Sequence, residues 1–144
     1  MATIVVRTPV GYLPTEGDSP SDGLVQSRRL RITAASFNNG GPFPSTATLN
    51  VGSALPASAI VLGSSVLVTA AFTLLSNPLL DLGYSGGTLT EIGDNAAYDL
   101  PAVDTYVTED SSLPPASAQI VATLTTDATV LVGSADIIVR FIEL

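Results

Sequence analysis

The chain has 144 residues, the size of a single domain, and sets thirteen acids against five basic residues for a net charge of −8 and a pI near 4.1. It contains no histidine, cysteine, lysine or tryptophan, which excludes Ser-His-Asp and Cys-His catalysis, Schiff-base chemistry, a phosphate-loop lysine and zinc sites built on His or Cys. The acid balance also argues against nucleic acid as a partner, because a surface that tracks phosphates needs clustered Lys or Arg.

The chain opens with Ala-Thr-Ile-Val-Val at 2–6, strand-like in composition and without the basic region and long apolar core of a secretory signal. Pro9, Pro14 and Pro20 then alternate with Gly11, Gly17 and Gly23. Residues 1–23 are therefore expected to form an extended arm that reaches a neighbour through Val5, Tyr12 and Leu13, ahead of a β domain over 24–144.

From Leu24 onward, Leu30, Ile32 and Ala34 alternate with Arg29, Arg31 and Thr33, which predicts a strand with those two arginines turned away from the core. Arg28, Arg29 and Arg31 form the only basic cluster. They are candidate partner-binding residues that meet acids of a neighbour or of the same chain. Asn38-Asn39-Gly40-Gly41-Pro42 reads as a loop, 46–51 as the next strand, and Gly52-Ser53 as a turn.

Residues 32 to 80 contain no Asp, Glu, Lys or Arg, and 55–75 is the most apolar part of that window. A membrane span is disfavoured: Gly63-Ser64-Ser65 sits at the centre, and neither flanking Lys/Arg nor an aromatic belt marks the ends. A helix is disfavoured by the β-branched Ile60, Val61, Val66, Val68 and Thr69. Strands are expected near 58–62 and 65–75, in the middle of a sheet, with Gly63-Ser64 as a bend or bulge.

Ser76-Asn77-Pro78 turns the chain, 79–82 runs on, and Ser85-Gly86-Gly87 breaks it. Residues 88–118 hold Glu91, Asp94, Asp99, Asp104, Glu109 and Asp110 and read as an irregular surface excursion, with one helical turn near 94–99 capped by Asp94. The last third returns to strand: 119–125, a turn at Thr126-Asp127, 129–132, a turn at Gly133-Ser134, and 136–142 ending inside a sheet. Seven to nine short strands at this spacing predict an all-β, single-domain β-sandwich, jelly-roll-like in topology.

Two chemistries survive the composition. Asp99, Asp104, Glu109 and Asp110 could pair as glycosidase carboxylates, but no tryptophan is present to stack a sugar. Asp94 and Asn95 with Asp99 or Asp104 offer oxygen ligands to calcium, at a spacing that matches no calcium loop. No catalytic, cofactor-binding or metal-binding residue is therefore assigned. Tyr84, Tyr98 and Tyr106 read as buried rings with hydroxyls at the rim, or as sugar platforms if the sandwich binds carbohydrate or a receptor.

The run 55–61 leading into Val66-Leu67-Val68-Thr69-Ala70-Ala71-Phe72, the Leu82-Gly83 that precedes a glycine-rich loop, and the ending Val132-Gly133-Ser134-Ala135-Asp136-Ile137-Ile138-Val139-Arg140-Phe141 resemble small structural proteins of tailed bacteriophages. In style the chain is most similar to the head decoration, or cement, proteins. The resemblance spans about 46–144 and has no diagnostic motif. It implies a β-rich module on the capsid exterior that binds the major capsid protein between capsomers, as a homotrimer or homodimer, with neither nucleic acid nor membrane as partner. Residues 91–110 would then be a solvent-facing or inter-subunit loop. A tail or fibre component is the alternative of the same class.

Overall fold

The computed structural model describes residues 24–38, 42–73, 78–109, 114–115 and 117–144. The expected arm, the Asn39-Gly40-Gly41 loop and the Ser76-Asn77 turn lie outside the described residues. Seven strands carry the fold: β1 (Val25–Thr33), β2 (Ser45–Asn50), β3 (Ala59–Thr73), β4 (Leu79–Tyr84), β5 (Thr105–Glu109), β6 (Ile120–Thr126) and β7 (Val132–Glu143). They form two antiparallel sheets, ordered β1-β7-β3-β5 and β2-β6-β4.

The pairing nests. β1 pairs with β7, β2 with β6, and β3 with β5, while Leu82 of β4 makes an isolated antiparallel bridge to Gly93. This is one long hairpin rolled on itself, and the β3–β7 and β4–β6 ladders join its successive turns. Nesting of this kind is the jelly roll, here with the strand after β4 reduced to a single bridge. No helix among the described residues is long and apolar enough to cross a membrane.

Within the uncharged stretch, 59–73 forms a strand whose inner side is sheet interior, as its composition predicts. On β3, Val61, Val66, Val68 and Phe72 point inward and are essentially buried, and their partners Phe141, Ile137 and Ala135 on β7 are equally so. The two strands expected at 58–62 and 65–75 are instead one of fifteen residues. A register shift between Val61 and Gly63 takes up an extra residue as a bulge, and the ladder to β7 continues through it.

Four expectations are corrected. Residues 34–38 turn into a short helix, α1 (Ala34–Asn38), where the Thr33 amide donates to Ser36 Oγ at 3.0 Å and Phe37 is driven fully into the core. Residues 88–118 are not only a surface excursion, because they supply β5 and bury Ile92, Tyr98 and Leu100. The Leu82 amide donates to Gly93 O at 2.8 Å, which sews that segment to β4. Residues 129–131 are not a strand, and Gly133-Ser134 is not a turn but lies within β7. Gly133 has φ 148°, and Phe72 occupies the space a Cβ would need. The helical turn near 94–99 is present as a single 3-10 turn, Asn95–Ala97, with Asp94 Oδ1 accepting from the Ala96 amide at 3.0 Å.

Candidate interaction surface

Strand alternation divides the arginine cluster that the sequence presents as one patch. Arg29 and Arg31 lie opposite Ile138 and Asp136 on the outer face of the four-stranded sheet, whereas Arg28 lies opposite the buried Val139. Arg28 crosses the open end of the sandwich. Its guanidinium sits 4.7 Å from the Phe141 ring centroid and donates to Ser53 O (2.9 Å) and Ala54 O (3.1 Å). Arg28 therefore ties the loop after β2 to β1 and closes the core, which is an internal role.

On the outer face Arg31 forms a forked pair with Asp136, Nε to Oδ1 at 3.0 Å and Nη2 to Oδ2 at 3.4 Å. The hydrogen bond from Arg31 holds the Asp136 carboxyl below its ordinary range, against the opposing effect of partial burial. A depressed carboxylate stabilises the fold above its unfolded pKa and loses that contribution as pH falls through the folded value. The two side chains are 60% and 39% exposed, so solvent and salt keep the effect small. Arg140 donates from Nη1 to Ser65 Oγ at 2.6 Å. Arg29 is exposed and makes no ion pair among the described residues.

An antiparallel sheet with one face in water normally carries polar residues there. This one carries aliphatic side chains as well. Ile142 pairs with both Val25 and Ile60, and Ile138, Leu67 and Val107 lie on the same outer side. Val25 and Val107 are 62% and 55% exposed, and the other four are half-buried. Arg140 separates the Val25–Ile142–Ile60 row from Ile138 and Val107, so the face is a mosaic of aliphatic and polar side chains. Beside it, a shallow groove of about 250 Å³ runs between Arg29, Arg31, Asp136 and Ile138.

The opposite edge of the sheet is acidic. Glu109 is exposed at the end of β5, and Asp99 and Asp104 lie close enough to Tyr106 to raise its hydroxyl pKa, after the larger effect of desolvation. Tyr106 itself donates to Ala102 O at 3.1 Å. Ser64, Tyr98 and Thr108 form a hydroxyl network behind β5, with Ser64 Oγ 2.8 Å from the Tyr98 hydroxyl and 2.6 Å from Thr108 Oγ1. Burial raises the Tyr98 pKa, with the hydrogen bonds from Ser64 and Thr108 opposing it.

The other candidates fall elsewhere. Tyr84 and Tyr98 are only 2% and 3% exposed and offer no ring to a sugar. The Asp94 carboxylate is used as a cap, and among the described residues no three acids converge as a metal site would need. A second depression, of about 300 Å³, is lined by Pro78, Leu79, Asn95, Tyr98, Asp99 and Pro101. Val5, Tyr12 and Leu13 lie outside the described residues. The aliphatic part of the outer face has its sequence signal in Ile137-Ile138 and Phe141-Ile142, apolar on both sides of one strand.

No protein-family model matches the chain, and no curated protein does. Two solved structures share its fold. One is a chain of the capsid asymmetric unit of cyanophage Pam1, 18% identical, with a TM-score of 0.60 over 96% of this chain and 98% of that one. The other is a chain of the acid-stable capsid of Helicobacter pylori bacteriophage KHP30, 16% identical, with a TM-score of 0.52 over 84% of this chain and 89% of that one.

Proposed function

We propose that this chain is a structural protein of a phage virion, a decoration or cement protein that binds the outer surface of the shell built by the major capsid protein and stabilises it. The observation that carries this reading is the fold match to the Pam1 capsid chain, which is nearly coextensive in both directions. A module of the same extent and topology already serves in a capsid asymmetric unit. The residues support the same reading from a second direction. With no His, Cys or Lys and no convergent acids among the described residues, the chain offers a sheet face of mixed aliphatic and polar side chains in place of a reaction centre.

In this reading 24–144 is the sandwich, 1–23 is the arm that reaches a neighbouring subunit, and the outer face of β1, β7, β3 and β5 is the contact surface. Many weak contacts repeated over a shell give avidity that no single site needs to supply.

The test is sedimentation of the purified chain with and without heads of the same phage assembled without it. The expected result is saturable co-sedimentation, and shells that survive heating or low ionic strength better when the chain is bound. A chain that stays in the supernatant at every concentration, or that binds glycans and ignores heads, overturns the proposal.

A further inference from the structure

β5 is an edge strand of the four-stranded sheet and is paired on one side only, with β3. None of its five residues is fully buried. The chain that leads into it is anchored far more firmly. Leu100 lies in the core, the Leu100 carbonyl accepts from the Phe72 amide at 3.0 Å, and the Asp104 carbonyl accepts from the Val68 amide at 2.9 Å. β5 therefore has a fixed end at Asp104–Thr105 and a lightly held end at Thr108–Glu109.

The hydroxyl cluster sits at the lightly held end. The bulge at Gly63 adds a residue to β3, so that Val61 and Ser64, three positions apart, both face inward and are 0% exposed. Ser64 then meets Thr108 twice, Oγ to Oγ1 at 2.6 Å and amide to Oγ1 at 3.2 Å, and meets the Tyr98 hydroxyl at 2.8 Å. Tyr98 in turn lies over Gly93, where an added Cβ would strike its hydroxyl, and Gly93 bridges to Leu82 of β4. The three hydroxyls thus tie the β4 edge of one sheet to the β3–β5 edge of the other.

From this geometry we infer that β5 is a hinged strap, fixed at Asp104–Thr105 and latched at its far end by Thr108 on Ser64 and Tyr98, which opens while the rest of the sandwich stays folded. Two features make the opening cheaper than unfolding. The inward side chains of β5 are Tyr106 and Thr108, both only half-buried, so little apolar surface is uncovered. Water then satisfies the hydroxyls that the latch had paired, which an apolar seal would not permit. What opening uncovers is the β3 edge from Gly63 to Leu67, a row of backbone groups otherwise paired with β5.

The experiment is native-state amide hydrogen exchange on the purified full chain, at urea concentrations below its unfolding transition. No phage head enters the test, so its outcome is independent of shell binding. The wild type is compared with Thr108→Val, which keeps the side-chain shape and removes the hydroxyl, with Thr108→Ser, which keeps the hydroxyl, and with Ile120→Val in the core of the other sheet. Circular dichroism checks that each keeps its fold. In the wild type, the β5 amides bonded to β3 should exchange through an opening that barely responds to urea, while β6 and β7 amides follow global unfolding. Thr108→Val should raise the β5 opening constant about tenfold, and Thr108→Ser should stay near wild type. Ile120→Val should speed β6 and β7 exchange by about threefold or more and leave β5 unchanged. β5 amides that track β6 and β7 across urea, or that respond to Ile120→Val as strongly as those do, would overturn the hinged strap. Unchanged β5 exchange in Thr108→Val, or an equal rise in Thr108→Ser, would overturn the latch.

Discussion

Replacing Phe72 with alanine is expected to lower the unfolding free energy by about 3–5 kcal/mol, the range for removing a fully buried aromatic ring. Phe72 is 1% exposed and meets Phe37 edge to face, with centroids 5.3 Å apart and planes at 65°. Its other side lies against Gly133, whose missing Cβ leaves the space the ring fills. The site cannot collapse easily, because the ring is held between α1, β3 and β7, so most of the cavity should persist. Against a total of about 5–15 kcal/mol for a typical domain, the loss is a large share. Urea unfolding measures it. A change below about 1 kcal/mol would mean that Phe72 is not sheet interior, and the packing of the uncharged stretch described above would be wrong.

The second large effect is expected at the bulge. Gly63 has φ 139°, and a Cβ there would run into the Thr108 carbonyl oxygen, with Arg140 Nη2 close behind at 3.1 Å. Gly63→Ala should therefore cost about 1–3 kcal/mol in backbone conformation alone. It should also push β5 away from β3, opening the Ser64–Tyr98–Thr108 network. Gly86 provides the control. It too has a positive φ, of 77°, but nothing lies within 4 Å of its added Cβ, so Gly86→Ala should cost only about 1 kcal/mol. Amide hydrogen exchange separates the two. β5 amides should lose protection in the Gly63 variant and keep it in the Gly86 variant, while equal behaviour of the two would contradict the bulge geometry.

What could be read from the sequence follows from how far each signal extends. The uncharged run through 55–75 is long, β-branched and free of charge, so burial leaves it little choice but sheet interior. The strands from Ser45, Leu79 and Ile120 are bounded by turn residues, and the first of them alternates visibly. β5 was hidden because its alternation is only five residues long, turns Val107 outward and sits among acids, all of which mimic a solvated loop. α1 is too short for a helical period to show, and its Thr33-x-x-Ser36 start is the only local cue.

Gly133 misled for another reason. A glycine beside a serine usually marks a turn, but here it makes room for a ring sixty-one positions earlier in the chain, a contact that no local pattern reports. The arginines show the same limit at the candidate surface. Their spacing places three charges close together in sequence, but only the period of a strand separates Arg28, which is committed to the core, from Arg29 and Arg31, which face outward.

The most direct measurement is a strand-resolving reconstruction of a phage head that carries this chain. The account predicts seven-stranded sandwiches outside the continuous shell, with the β1-β7-β3-β5 face against protein and the hydroxyl-rich outer side of β2 turned to solvent. Density for the chain inside the shell, at the tail, or nowhere on the particle would contradict it.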